Sequence, residues 1–291
     1  MIDYLATLGY IHQGFTTGTV ADGQVRYMVV LDLEGKSEKD IIAGFEANTR
    51  RTINRANKFG LEIEELTPDN LKEFIKMMDV TGKKRHFTDM GEKNYRRQMH
   101  AFGKDAMVWL SILNTDTLIE INQKEMDDVK SSLVRTEEAL AKTPNNGKML
   151  RRKKEEEERI RQIESIISET NQLKEKYGQR IPLSGAYFIH YDDEMYYISS
   201  GSYDEFRKYC GPYHIQEAAI RYALEHHCHR YNFTGTSGIF NDSADDYGVF
   251  KFKKSLGGRP IELLGEFILP CDEKACRRIR TVQKIKNIIK K

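Results

Sequence analysis

"KEMDDVKSSLVRTEEALAKTPNNGKMLRRKKEEEERIRQIESIISETNQLKEKYG", residues 124–178, has no aromatic residue before Tyr177 and interleaves charges of both signs. Met126, Val129, Leu133, Thr136 and Leu140 recur at spacings of three and four. Ile160, Ile163, Ile167 and Thr170 repeat the pattern after an interruption, which is the seam of paired helices. Between the runs, Pro144 resists helix continuation and Asn145, Asn146 and Gly147 accept positive φ, so the chain should reverse there. The stretch therefore predicts an antiparallel helical hairpin, an arm spanning 118–177. Its distal part, "RRKKEEEE" (151–158), offers no apolar seam residue and is expected to stand in solvent.

If the arm is an insertion, its flanks belong to one body. "QVRYMVVLDL" (24–33), "LEIEELT" (61–67) and "DAMVWLSILN" (105–114) read as strands. "SEKDIIAGFEANTRRTINRANKFG" (37–60) reads as one amphipathic helix closed by Gly60, and "PDNLKEFIKMMDVTGKK" (68–84) as another. After the arm, "GAYFIHYDDEMYYISSGS" (185–202) reads as a hairpin turning at Asp192-Asp193. A helix over "YHIQEAAIRYALEHH" (213–227) and a buried strand "RYNFTG" (230–235) follow. The fold class is α/β (α+β) with a mixed sheet.

The chain has 291 residues, 39% of them hydrophobic, enough to bury a sizeable core. Nothing in it approaches the apolar length of a spanning helix and its opening is not a signal peptide, so it reads as cytoplasmic. Cys210, Cys228, Cys271 and Cys276 form no Cys-x-x-Cys pair and are read as reduced thiols. A net charge of +2 gives no global attraction to nucleic acid, and no DNA partner is expected. Any such binding must come from local basic patches: Arg50, Arg51, Arg55 and Lys58 share one helix, and Arg151 and Arg152 lie on the arm, each set reading either as a solvated face or as tRNA-phosphate contacts.

"DDYGVFKFKKSLGG" (245–258) sets Val249, Phe252 and Leu256 at helical spacing before a Gly257-Gly258 stop. Lys253 thus lies near a helix C-terminus, where the dipole favours a cation by about 0.3–1 kcal/mol. Ser199 to Ser202, "SSGS", reads as a turn after a strand or as a loop offering backbone amides to a ligand. "HHCHR" (226–230) lacks the second half of a zinc site, so no metal is expected. The tail places Ile279, Val282, Ile285 and Ile288 beneath a basic face, suited to docking on a domain or touching an anionic membrane surface.

The run "RYNFTGTSGIFNDSADDYGVFKFKKSLGGRPIELLGEFILP" (230–270), with "YYISSGS", "LGYIHQGF", "VRYMVVLDL" and "TRRTINRANKFGLEIEEL", resembles the FemABX family of non-ribosomal peptidyltransferases. The resemblance covers essentially the whole chain and extends to the arm, since FemA-like members carry a coiled-coil insertion. It implies two GNAT-like domains, transfer of Gly, Ser or Ala from aminoacyl-tRNA to the stem peptide of a peptidoglycan precursor, and no cofactor. On that pattern residues 1–30 are the remnant of a first GNAT-like domain. Segments 31–117 and 178–270 form the second, 118–177 is the arm, and 271–291 is a basic C-terminal helix.

An aminoacyl-tRNA ester is already activated, so the enzyme must mainly align ester and amine and stabilise the charge that develops on the carbonyl oxygen. The resemblance assigns the Phe-Lys element to Phe252 and Lys253, with Lys253 the electrostatic stabiliser. Lys254 and Lys251 become phosphate-facing neighbours, and Lys254, Tyr95, Ser200, Gly201 and Tyr213 the substrate contacts. The family's Arg-x-x-x-Tyr-Tyr element departs here to Met90 and Asn94 before Tyr95. An acetyl-CoA-dependent enzyme of the same fold would need small residues at "KYCGPYH" (208–214), where Pro212 and Tyr213 stand. A non-catalytic tRNA- or protein-binding module is the third reading.

Overall fold

The computed structural model describes residues 1–18, 25–85, 87–272, 274–279, 281 and 282. They fall into two compact units, 32–231 and 1–31 with 232–291. The α/β class holds, and no described helix is long and apolar enough to cross a membrane.

The 32–231 unit is built on strands Glu62–Leu66, Ala106–Asn114, Arg180–Tyr191 and Glu194–Ser202, each antiparallel to the next. Ala106–Asn114 is buried at every position up to Asn114, as an apolar strand covered on both faces must be. Its alternate residues separate cleanly. Val108, Leu110 and Ile112 join Phe74, Met77, Tyr95 and Met99 from helices Lys72–Arg85 and Glu92–Phe102. Trp109 and Ser111 instead meet Tyr222 and His214 of helix Gly211–Glu225. Burial lowers the His214 pKa to about 4, and its Nδ1 pairs with Ser111 Oγ at 2.9 Å.

The helix expected over 37–60 is two helices, Glu38–Gly44 and Ala47–Asn57. Phe45 takes extended backbone at the break and is buried, while the Arg50 guanidinium donates to the freed carbonyls of Ala43 and Phe45. Burial of one large side chain outweighs the helical continuity that local propensity favours.

The arm consists of helices Thr115–Lys142 and Gly147–Tyr177 packed along one another, with the reversal between them at 143–146. Asn114 caps the first helix and Asn146 the second, each side-chain oxygen accepting two amide hydrogen bonds. At the root, Asn114 and Arg180 are register partners, and the Thr115 amide donates to Gln179 O at 2.9 Å. Met126, Thr136, Ile163 and Thr170 are buried in the seam. The distal charge run is not simply solvated. Glu156 occupies a seam position and accepts from Ser132 Oγ at 2.6 Å, while Lys153–Glu137 (2.7 Å) and Arg159–Glu125 (2.6 Å) bridge the two helices.

In the other unit, helix Ile2–Thr7 leads to strand Ile11–His12, which pairs antiparallel with Phe267–Ile268. Strand Tyr27–Asp32 pairs antiparallel with Arg259–Glu262. Strand Arg230–Thr236 brings the chain back, and helix Tyr247–Ser255 follows. That helix ends at Gly257, φ +78°, with the amides of Gly257 and Gly258 donating to Lys254 O and Lys253 O. A Cβ on Gly258 would lie 2.7 Å from both Lys253 O and Val29 Cγ1, so glycine lets the helix end abut the strand. In the tail, Ile279 and Val282 are exposed; Ile285 and Ile288 lie outside the described residues.

Candidate functional site

The local geometry turns on Thr234. A β-branched residue at φ +63° is rare, and the left-handed region costs an L-residue roughly 1–2 kcal/mol. Asn232 Oδ1 holds the conformation by accepting from the Thr234 amide at 2.8 Å. The kink turns two successive carbonyls toward one ammonium: Lys253 Nζ donates to Gly235 O at 2.6 Å and to Thr234 O at 3.4 Å. Glycine is needed at 235, where a Cβ would stand 2.0 Å from Val25 Cγ2.

Lys253 is 4% exposed. Desolvation draws its pKa from 10.5 down to about 8, opposed by the charge of Asp246. Lys253 does stand in the last turn of its helix, as expected, but it is buried and bonded to the strand rather than solvated. An ammonium has three N–H donors, and the two carbonyls occupy two of them. Asp246, just before the helix, accepts from Thr236 Oγ1 (2.8 Å), Ser237 N (2.8 Å) and Ser237 Oγ (2.6 Å). Burial raises its pKa, but the bonds from Ser237 and Thr236 outweigh burial and hold it below the ordinary value. Phe240 packs on Phe250 (4.7 Å between centroids) and on Tyr27 (5.7 Å) beside this loop.

The neighbouring predicted residues separate. Phe252 is half-buried, Lys254 is exposed, and Lys251 is exposed with its ammonium 4.8 Å from the Tyr247 ring centre. Tyr95, expected as a substrate contact, lies in the core. It is fully buried, donates to Asp89 Oδ1 at 2.6 Å and shares a hydrogen bond with Ser199 Oγ at 2.8 Å. Its pKa is pushed far up by burial and by Asp89.

"SSGS" is neither a turn nor an amide-presenting loop. Ser199 through Ser202 lie inside a strand, paired with residues 184–187. Gly201 is required because a Cβ would lie 2.9–3.1 Å from Thr81 Oγ1 and the Met77 backbone. The Ser200 hydroxyl accepts from Tyr197. Tyr213 sits half-exposed in the first turn of helix Gly211–Glu225, its amide bonded to Cys210 O.

Among the basic candidates, Arg50 caps carbonyls and Arg55 donates to Cys210 Sγ at 2.9 Å. Arg151 pairs with Glu155, and Arg152 with Glu156 and Ser132. Arg51 is exposed. No group of side chains able to hold a metal occurs among the described residues.

Sequence reasoning missed Thr234, Thr236, Ser237 and Asp246. The available signal was a polar Thr-Gly-Thr-Ser run closing a buried strand, followed nine residues after Ser237 by an acid at a helix start.

The sequence pattern of the FemAB family matches residues 1–284. The chain belongs to the FemAB family. It is 31% identical over 286 residues to aminoacyltransferase FemA of Staphylococcus epidermidis, covering 98% of this chain and 69% of that one. To aminoacyltransferase FemA of Staphylococcus aureus it is 31% identical over 287 residues, covering 99% and 68%. The crystal structure of FemX superposes with a TM-score of 0.82 at 25% identity, over 91% of this chain and 67% of that one. By this kinship the chain is an aminoacyltransferase enzyme of the FemAB family.

Proposed function

We propose that the chain moves an amino acid from aminoacyl-tRNA to the stem-peptide amine of a peptidoglycan precursor, with Lys253 stabilising the transition state. The acceptor amine attacks the ester carbonyl carbon. A C–N bond forms, the ester C–O bond breaks, and the ribose hydroxyl departs with the proton that the amine gives up. Charge builds on the carbonyl oxygen, and a fixed, desolvated ammonium there is worth far more than one in water. The observation that carries this reading is the buried Lys253 ammonium, aimed by a strained backbone and left with a third donor. Kinship with FemA supports the reaction class. Phe252 flanks the reacting group, Arg51 is the exposed tRNA-phosphate candidate, and Tyr213 and Lys254 are the remaining substrate contacts.

Acetyl-CoA is disfavoured as donor. A pyrophosphate would need free amides at the start of helix Gly211–Glu225, but Pro212 has none and those of Tyr213 and His214 already bond to Cys210 O. The test is single-turnover transfer from charged tRNA to a precursor analogue. It is run with this chain and with its Lys253→Met variant. Transfer from acetyl-CoA in place of charged tRNA would overturn the reading.

A further inference from the structure

One loop is gripped from two sides. Residues 234 and 235 give their carbonyls to Lys253, while 236 and 237 give two hydroxyls and an amide to Asp246. Asp246 and Lys253 stand at the two ends of helix Tyr247–Ser255, so a single helix spans the clamp. The carboxylate takes all three donors at 2.6–2.8 Å, the short range of charge-assisted bonds. No side chain caps that helix: Asp246 occupies the cap position, yet turns its carboxylate to the loop instead.

We propose that Asp246 is a positioning residue for Lys253: it fixes the 234–237 loop so that the Thr234 and Gly235 carbonyls aim the ammonium, and it sets a negative charge at the other end of the same helix. The proposal rests on the assignment of Lys253 to acyl transfer, but its physical core can be measured without substrate. From the strand side Lys253 meets the neutral carbonyls of Thr234 and Gly235. From its own helix the charge that reaches it is that of Asp246, while Lys251 and Lys254 point outward. Loss of the carboxylate leaves desolvation unopposed, so Lys253 should lose its proton at lower pH.

The experiment follows the Lys253 ammonium by NMR titration of lysine-labelled full chain, assigned with Lys253→Met, in parent, Asp246→Asn and Asp246→Glu. Asp246→Asn should lower the Lys253 midpoint, and Asp246→Glu should leave it near the parent value. In the transfer assay, Asp246→Asn should lose at least tenfold at pH 8 and recover part of that loss at pH 6.5. A merely structural role would give a loss independent of pH. An unchanged midpoint in folded Asp246→Asn overturns the proposal, as does an equal shift in both variants. If Asp246→Asn does not fold, Ser237→Ala replaces it; this keeps the charge and removes one grip, and should slow transfer without moving the midpoint. Unchanged transfer in that variant overturns the clamp. Full activity of Lys253→Met would overturn the functional assignment of Lys253 while leaving the titration result standing, which separates the two failures.

Discussion

Lys253 Nζ lies 2.6 Å from Gly235 O, a carbonyl presented by the left-handed residue before it. A buried ammonium bonded to uncharged acceptors lowers stability in order to hold a charge in place, a combination that belongs to sites more often than to scaffolds.

Lys253→Met should reduce single-turnover transfer by roughly a hundredfold or more, the effect of losing one oxyanion donor. Lys254→Met should cost much less, since Lys254 is an exposed peripheral contact and neighbours on a helix point about 100° apart. Stability distinguishes the site from a strut. The folded pKa of Lys253 is about 8 and its ordinary value 10.5. Below pH 8 both states are protonated and the cost of burying charge is felt in full; as pH rises from 8 to 10.5 that cost is relieved. Lys253→Met should therefore melt at or above the parent temperature at pH 7. A melt several degrees lower would return Lys253 to a structural role.

The pH profile of transfer should bend down near pH 8, where Lys253 loses its charge, while the need for a neutral acceptor amine sets the acidic limb. Lys253→Arg keeps its charge and should lose the alkaline bend, at a reduced rate. A profile that falls at the same pH in Lys253→Arg would assign the bend to another group.

Tyr95→Phe tests whether Tyr95 belongs to the core. It removes the hydroxyl that joins Asp89 to Ser199, and should cost about 1–3 kcal/mol in denaturant unfolding. Transfer per folded molecule should stay near the parent rate. A large rise in KM with unchanged stability would restore Tyr95 to the substrate.

In the arm, one carboxylate oxygen of Glu156 is buried without a partner. Replacing the polar pair together, Ser132→Ala with Glu156→Leu, should raise the melting temperature of the arm, because the buried unpaired oxygen is removed while the half-exposed Arg152, which loses both partners, turns to water. Glu156→Ala alone should lower it through the cavity left at the seam. Circular dichroism with hydrogen exchange over 115–177 reads both.

The arm was legible because heptad spacing and a proline break are local properties, whereas the asparagine caps were not read: Asn146, expected at positive φ, takes φ −72° and caps the second helix. The broken helix at Phe45 was not, since only the packed core rewards burying that ring and only the fold brings Arg50 to the freed carbonyls. Gly201 misled for the same reason. Beside three serines it resembles a turn, yet its lack of a side chain serves the close passage of Met77 and Thr81. The Phe252-Lys253 element was legible through family likeness alone. Its partners Thr234 and Asp246 were not, because the kink and loop closure that bring them to one helix leave no periodic trace.

Asn114 and Arg180 face one another across adjacent strands, with every residue of the arm lying between them. Topologically the arm is therefore an overgrown hairpin turn, and its length is invisible to the ladder beneath it. Excursions of different length could be spliced beyond the root without shifting a single pairing on either strand. Beyond its root, where Leu118, Leu173 and Tyr177 pack with Phe206 and Tyr209 of the body, the arm is free to change independently, the body under the demands of chemistry and the arm under those of whatever it reaches.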